Sequence, residues 1–295
     1  MQTTLRSNTT EVNIRPDGPT TVIGEKINPT GKKKLAVALR AGEFDYLGEL
    51  AARQVAAGAD VLDINVCVPG LNEVTVLTEV VKVVAAKVNV PLCIDSSNPK
   101  ALAAALAVAP GKPLINSVNG EQSVLWEMFP IVKNHGAAVI GLTMDGAGIP
   151  NTPHNRLFIA TRILEKASRL GIPANDVMID PLVMAVGADQ KAGEVTLKTI
   201  ELVRQKLGVN IVLGASNVSF GLPGRHTINQ AFLALAIGAG ASCVITNPMK
   251  FTANIRAVDL LCGRDSYAKR YIKHYRSQSE NLGWLYAAAK EEEVA

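Results

Sequence analysis

Four short apolar runs in this chain end in a polar side chain that a strand interior rejects: VPLCIDSSN at Asp95, KPLINSVNG at Asn116, DVMIDPL at Asp180 and NIVLGASNVS at Asn217. A bare carboxylate or amide inside a buried strand leaves hydrogen-bonding capacity unmet. These groups therefore belong at strand ends, where the backbone emerges toward a pocket. Two carboxylates and two carboxamides around one mouth present acceptors and donors in a planar array, which suits a flat, nitrogen-rich heterocycle better than a phosphate or a metal ion.

The remaining reactive side chains add little to that set. His135, His154, His226 and His274 show no ligand spacing and read as surface or helix-end residues, so no bound metal is expected. Cys67, Cys93, Cys243 and Cys262 are far apart, two of them inside expected strands, and read as reduced thiols of a cytoplasmic protein. The glycine-containing segments GAGIP and GLPG lack the strand and helix context of a nucleotide-binding loop.

The elements that must position the four groups follow from the apolar pattern. From about residue 21, short β-branched runs alternate with stretches whose apolar residues recur three or four apart, such as Leu47, Leu50, Ala51 and Val55. The runs TTVIGEKIN, DVLDINV, VPLCID, PLINSV, AAVIGLTM, DVMID, NIVLGAS and ASCVIT give eight strands, each followed by a helix. Eight is the closing number for a parallel (β/α)8 TIM barrel, an α/β fold whose active site lies at the C-terminal ends of the strands. Gly58, Gly136, Gly171, Gly208 and either Gly238 or Gly240 stand where helices must stop, and Pro91, Pro113 and Pro173 stand just before strands.

Composition agrees. The chain of 295 residues is 48% hydrophobic but only 4% aromatic, as expected of parallel strands buried on both faces under Ala-rich helices. Its net charge of +4 is spread without long runs, which argues against a dedicated nucleic-acid or membrane-surface protein. No apolar run reaches membrane-spanning length, and the start of the chain lacks the apolar core of a signal peptide. The reading divides the chain into a flexible N-terminal extension (1–19), the barrel (20–262) and C-terminal helices (263–295). In the last, Trp284, Leu285 and Tyr286 are placed to dock on the barrel or on a second subunit.

Taken in order, IGEKIN (23–28), GADVLDINV (58–66), LCIDSSN (92–98), LINSVN (114–119), GLTMDGAGIP (141–150), IDPL (179–182) and GASNVSFGLPGR (214–225) resemble the pterin-binding methyltransferases. These are the methyltetrahydrofolate:corrinoid protein methyltransferases and the folate domain of cobalamin-dependent methionine synthase. The resemblance implies a TIM barrel, a tetrahydrofolate or methyltetrahydrofolate substrate, a corrinoid (cobalamin) carried on a partner protein, and a homodimer. It further implies that Asp95, Asn116 and Asp180 bind the pterin and that Asn217 lies near N5, the atom carrying the methyl group. Chemistry suits those roles. One ionised carboxylate accepts the parallel donors N3–H and the 2-amino group, a task assigned to Asp180, with Asp95 serving another ring N–H. A tertiary amine leaves poorly until N5 is protonated, and Asn217 with surrounding water is assigned to favour that. No histidine or evidently raised-pKa carboxylate in the motifs offers itself as a lone proton donor.

Plainer readings stand beside these. Asp95 and Asp180 are also candidates for helix caps or ion pairs at the barrel mouth, and Asn116 and Asn217 for groups that satisfy loop backbone. Glu25 either lines the mouth or braces the barrel. Asp63 and Asn65 close the second strand, one expected to face the site and the other to turn away. Ser216 and Arg225 are weaker candidates, the arginine meeting a glutamate tail, a partner surface or only solvent. A dihydropteroate synthase-like enzyme is the nearest alternative, yet the second-strand loop NVCVPGLNE lacks the arginine that family carries there. A non-catalytic folate-binding subunit is the other.

Overall fold

A computed structural model of the chain describes residues 1–277. Its first surprise is the N-terminus. Where the sequence suggests a loose extension, β1 (Thr3–Arg6) pairs antiparallel with β2 (Glu11–Ile14), Thr3 facing Ile14 and Leu5 facing Val12. The alternation Thr3-x-Leu5 and Val12-x-Ile14 gives the hairpin one apolar face, and Leu5 and Ile14 are fully buried against the interior of the barrel. The side chain of the buried Asn210 holds the hairpin in place, its Nδ2 donating to Thr3 Oγ1 and to the Ile14 carbonyl, each at 2.9 Å. The extension is thus a floor for the barrel. One apolar residue in β1 and two in β2 are too short a signal to read as strands. Truncating Leu5 to Ala is expected to cost about 2–5 kcal/mol, because a cavity would open under a closed interior. Chemical denaturation would measure it, and a loss below about 0.5 kcal/mol would contradict the plug.

Eight parallel strands follow: β3 (Thr21–Ile27), β4 (Val61–Ile64), β5 (Leu92–Asp95), β6 (Leu114–Asn119), β7 (Ala138–Leu142), β8 (Val177–Asp180), β9 (Val212–Gly214) and β10 (Cys243–Thr246). Their order is β8-β7-β6-β5-β4-β3-β10-β9, and a parallel bridge between Ile179 and Ile211 joins β8 to β9 and closes the ring. The expected TIM barrel is present, with every expected strand in place.

The helices are α1 (Lys33–Ala41), α2 (Asp45–Ala56), α3 (Glu73–Lys87), α4 (Pro99–Leu106), α5 (Gln122–Asn134), α6 (Pro153–Arg169), α7 (Ala192–Leu207), α8 (Arg225–Ala239) and α9 (Pro248–Leu261). Three of them start the same way: Asn98-Pro99, Thr152-Pro153 and Asn247-Pro248 put a capping side chain directly before a proline. The cap accepts a first-turn N–H, and proline occupies a position whose own N–H has no helical partner. The starts at Asn98 and Asn247 fix a helix just beyond the C-terminal end of β5 and of β10, and the one at Thr152 follows the longer loop after β7. At the other end Gly208 stops α7 with φ 64, a left-handed conformation that a side chain would strain.

Two details differ from the sequence reading. Between β3 and β4 there are two helices, the KKKLAVALRA segment forming α1 ahead of the expected α2. The stretch VDLLCGRDSYAKRYIKHYRS, read from sequence as the eighth helix, is divided instead: the eighth helix is α9, which begins at Pro248 and ends at Leu261, and a further helical stretch covers 269–277. Trp284, Leu285 and Tyr286 lie outside the described residues. Among the described residues, no helix is long and apolar enough to cross a membrane.

Candidate active site

The interior of the barrel is filled by Ile23, Val61, Cys93, Leu114, Ile140, Met178, Val212 and Cys243, one residue from each strand. Side chains two apart on a strand share a face, so the next inward positions toward the C-terminal ends are Glu25, Asp63, Asp95, Asn116, Leu142, Asp180, Gly214 and Ile245. The layer is lopsided. From β3 through β6 it is polar without interruption, β8 adds one more carboxyl group, and β7, β9 and β10 contribute two apolar side chains and a glycine.

Hydrogen bonds tie the polar arc together. Asp95 and Asn116 are register partners on neighbouring strands, and Asn116 Nδ2 donates to Asp63 Oδ1 at 3.2 Å. The Asn65 amide bonds to the Asp95 carboxylate while its Oδ1 accepts the Cys67 N–H at 2.9 Å. The expectation that only one of Asp63 and Asn65 faces the site is therefore corrected. The two are two residues apart, have the same parity, and both join the cluster.

A second group joins β3 to the turn after β9. Ser216 Oγ donates to Glu25 Oε1 at 3.1 Å, and Arg225 donates to the Ser216 carbonyl at 2.7 Å and to Ser219 Oγ at 3.0 Å. Arg225 therefore braces the 3-10 turn Ala215–Ser219 that carries Asn217. The Asn217 side chain makes no hydrogen bond among the described residues, and its Nδ2 lies 3.4 Å from where a Cβ on the inward-facing Gly214 would stand. The amide thus hangs over the mouth beside β9.

Asp180 has its own support, which the sequence reading missed. Its Oδ1 accepts the Leu182 N–H at 2.7 Å, holding Leu182 at φ 63, a strained conformation for a side-chain-bearing residue. Arg156, itself buried, donates from Nη1 to the carbonyls of Pro181 and Leu182 at 2.7 and 2.8 Å and from Nε to that of Pro150 at 2.8 Å. A signal for Arg156 was present, since it shares the buried face of α6 with Ile159, Ala160, Ile163 and Ala167. A charge in an apolar stripe at helical spacing asks for a buried acceptor.

Burial dominates the electrostatics. It pushes Asp180 up to about 7, against the pull of the Leu182 N–H and the Arg156 charge. Asp63 is raised further by burial and by the charge of Asp95, and Asp95 is raised by burial against the hydrogen bond from Asn65. Both carboxyl groups therefore resist ionisation, Asp63 through its complete burial and the Asp95 charge beside it. The mouth thus holds carboxyl groups pushed up toward neutrality, which the sequence did not disclose. Glu25 is likewise raised by burial, opposed by its bond from Ser216.

These shifts have a sign. A carboxyl group near 3.9 when unfolded and near 7 when folded gives stability that is complete below pH 4 and disappears as pH rises through 7. The ligand-free protein is expected to lose roughly 5 °C of melting midpoint between about pH 5 and pH 8, and Asp180→Asn to flatten that slope. Calorimetry across the range tests it; parallel curves for the two proteins would contradict it.

All nine residues singled out from sequence lie on β3, β5, β6 and β8, on β4 or just after it, or on the turn and helix start that follow β9. Among the described residues no three His, Cys, Asp or Glu side chains are grouped to hold a metal ion. The profile of a family described as pterin binding enzymes matches residues 24–247. The chain is 30% identical over 263 residues to methylcorrinoid:tetrahydrofolate methyltransferase of Eubacterium limosum, covering 86% of this chain and 96% of that protein. It is also 30% identical over 254 residues to methionine synthase of Mycobacterium tuberculosis, covering 82% of this chain but 21% of that much longer protein. Among solved structures, Yersinia pestis dihydropteroate synthase with a bound pterin-sulfa conjugate superposes with a TM-score of 0.69 at 17% identity, over 88% of this chain and 98% of that one. The enzyme from Vibrio fischeri gives 0.68 at 16%, again over 88% and 98%. At such identities the likeness to these two structures is one of fold.

Proposed function

The chain belongs to the pterin-binding enzymes, and on that footing we propose that it is a methyltransferase moving a methyl group between N5 of methyltetrahydrofolate and the cobalt of a corrinoid carried by a partner protein. The observation that carries the reading is the one-sided polar arc. A pterin is flat, with a hydrogen-bonding pyrimidine edge and a less polar opposite side, and the inward layer has the same division. Asp180 accepts N3–H and the 2-amino group, Asp95 takes another ring N–H, and Asn116, able to donate and accept, meets the mixed edge. Leu142, Ile245 and Gly214 leave room for the ring. Asn217, on the far side over β9, then stands beside N5.

In the transfer, Co(I) attacks the methyl carbon, the bond from carbon to N5 breaks with its electron pair going to nitrogen, and a proton is taken up at N5. Tetrahydrofolate and methyl-Co(III) result; the reverse transfer follows the same path. The protein's part is to hold the ring, favour the proton at N5 and leave the mouth open for the partner to bring cobalt to the methyl group. The E. limosum relative, named for both a methylcorrinoid and tetrahydrofolate, supports this reading over one based on fold alone. The loop after β4 contains no arginine to receive the pyrophosphate of a dihydropteroate synthase substrate. A homodimer is part of the proposal, and its mass in solution tests that part.

Mixing the protein with methyltetrahydrofolate and reduced Co(I) cobalamin is expected to convert the Co(I) spectrum to that of methyl-Co(III). An unchanged spectrum, with folate binding intact, would leave a folate-binding subunit without the activity.

A further inference from the structure

The rim between β3 and β9 carries positive charge from Lys26, Lys32 and Arg225, of which only Arg225 has a part in the methyl transfer, as the brace of the Asn217 turn. Lys32 ends the loop from β3 to α1 and is half-buried, its Nζ donating to the main-chain carbonyls of Lys26 at 3.1 Å and Glu25 at 3.4 Å. It forms no ion pair among the described residues. Burial lowers its pKa to about 8, with the neighbouring Lys26 charge adding to the effect and Glu25 and Asp63 opposing it. Lys32, Lys26 and Arg225 all act on Glu25, yet the Glu25 carboxylate takes the Ser216 hydroxyl and pairs directly with none of them. Three cations, from the end of β3, the loop after it and the start of α8, therefore surround Glu25, and the partly desolvated Lys32 ammonium lacks a carboxylate of its own.

The orientation of the ring says what passes over this rim. With the pyrimidine edge on β5, β6 and β8, and N5 beside Asn217 after β9, the substituent on the carbon next to N5 must leave over β9, β10 and β3. Arg225 follows the first of these strands and Lys32 follows the last. In a folate that substituent ends in a glutamate, or in a chain of γ-linked glutamates, and so presents one or more carboxylates.

We propose that Lys32, with Lys26 and Arg225 around it, forms a subsite for the carboxylates of a folate's glutamyl tail; the inference rests on the pterin reading of the pocket. A carboxylate arriving there gives Lys32 the partner it lacks and favours its charged form. Lys32 thereby sets preference among folates by tail length, while the ring contacts set recognition of the pterin itself.

The test is equilibrium binding of three ligands: tetrahydropteroate, which has no glutamate, and the mono- and triglutamyl tetrahydrofolates. Wild-type protein is expected to bind the triglutamyl form about tenfold more tightly than tetrahydropteroate, as one charge-assisted hydrogen bond would give. Lys32→Gln keeps a donor for the Lys26 carbonyl but removes the charge, and the ratio of affinities should fall toward one. Lys32→Arg should restore it, and raising salt from about 0.05 to about 0.5 M should shrink it. The ratio is the readout because a variant that merely loosens the loop weakens all three ligands alike. Equal affinities in the wild type, or a ratio unchanged in Lys32→Gln, would overturn the tail subsite and leave the pterin reading standing. Failure of all three ligands to bind would overturn both.

Discussion

Asp180→Asn is expected to weaken pterin binding by about 10²–10⁴-fold while leaving the protein folded. Asparagine preserves the size of the side chain and can still accept the Leu182 N–H, so the strained turn and its Arg156 brace survive. What changes is the face shown to the ligand. Two charge-assisted hydrogen bonds of roughly 1.5–3 kcal/mol each are lost, and an N–H group now opposes a ring donor. Binding in the wild type carries the same dependence on charge. Because Asp180 sits near 7 in the free protein, affinity should be constant well above that pH and fall by up to about tenfold per unit below it. Titration calorimetry with tetrahydrofolate across pH 5.5–8.5 measures both effects. A variant that binds within about threefold of wild type would show that the pyrimidine edge lies elsewhere.

Much of this was legible in the sequence because a parallel barrel writes two signals on each strand. The interior half of VMID or LCID must be apolar, and the residue at the open end is released from that requirement. Asp180 and Asp95 stand out for that reason. Asp63 gave the same signal, but it was blurred by Asn65 two residues on, since a strand end does not say where alternation stops mattering. Arg156 and Lys32 were harder. Each acts through main-chain carbonyls, which have no sequence of their own, so their partners become visible only in three dimensions. The N-terminal hairpin failed for a different reason: with Leu5 and Ile14 as its deeply buried apolar anchors, its strand character comes from the barrel it closes rather than from its own pattern. The upward shift of Asp63 also depends on its surroundings, because burial and the nearby Asp95 cause it, and the β4 sequence specifies neither.

Replacing Asn217 with Ala is expected to slow methyl transfer by about 10²-fold while changing folate affinity by no more than about threefold. In the ground state N5 bears a methyl group and little charge, so a carboxamide beside it gains little. As the bond to carbon breaks, an electron pair returns to N5 and the nitrogen takes up a proton, and a polar group fixed beside it then becomes worth more. Only an interaction stronger at that point than in the bound substrate alters the rate. Asn217 is well placed for this, because its turn is clamped by Arg225 and its amide has no competing partner among the described residues. The proton need not come from Asn217, since solvent at the open mouth can supply it. Single-turnover transfer to Co(I), measured beside the equilibrium affinity for methyltetrahydrofolate, separates the two roles. Loss of both in equal proportion would make Asn217 a residue that holds the ring rather than one that eases the departure of the methyl group.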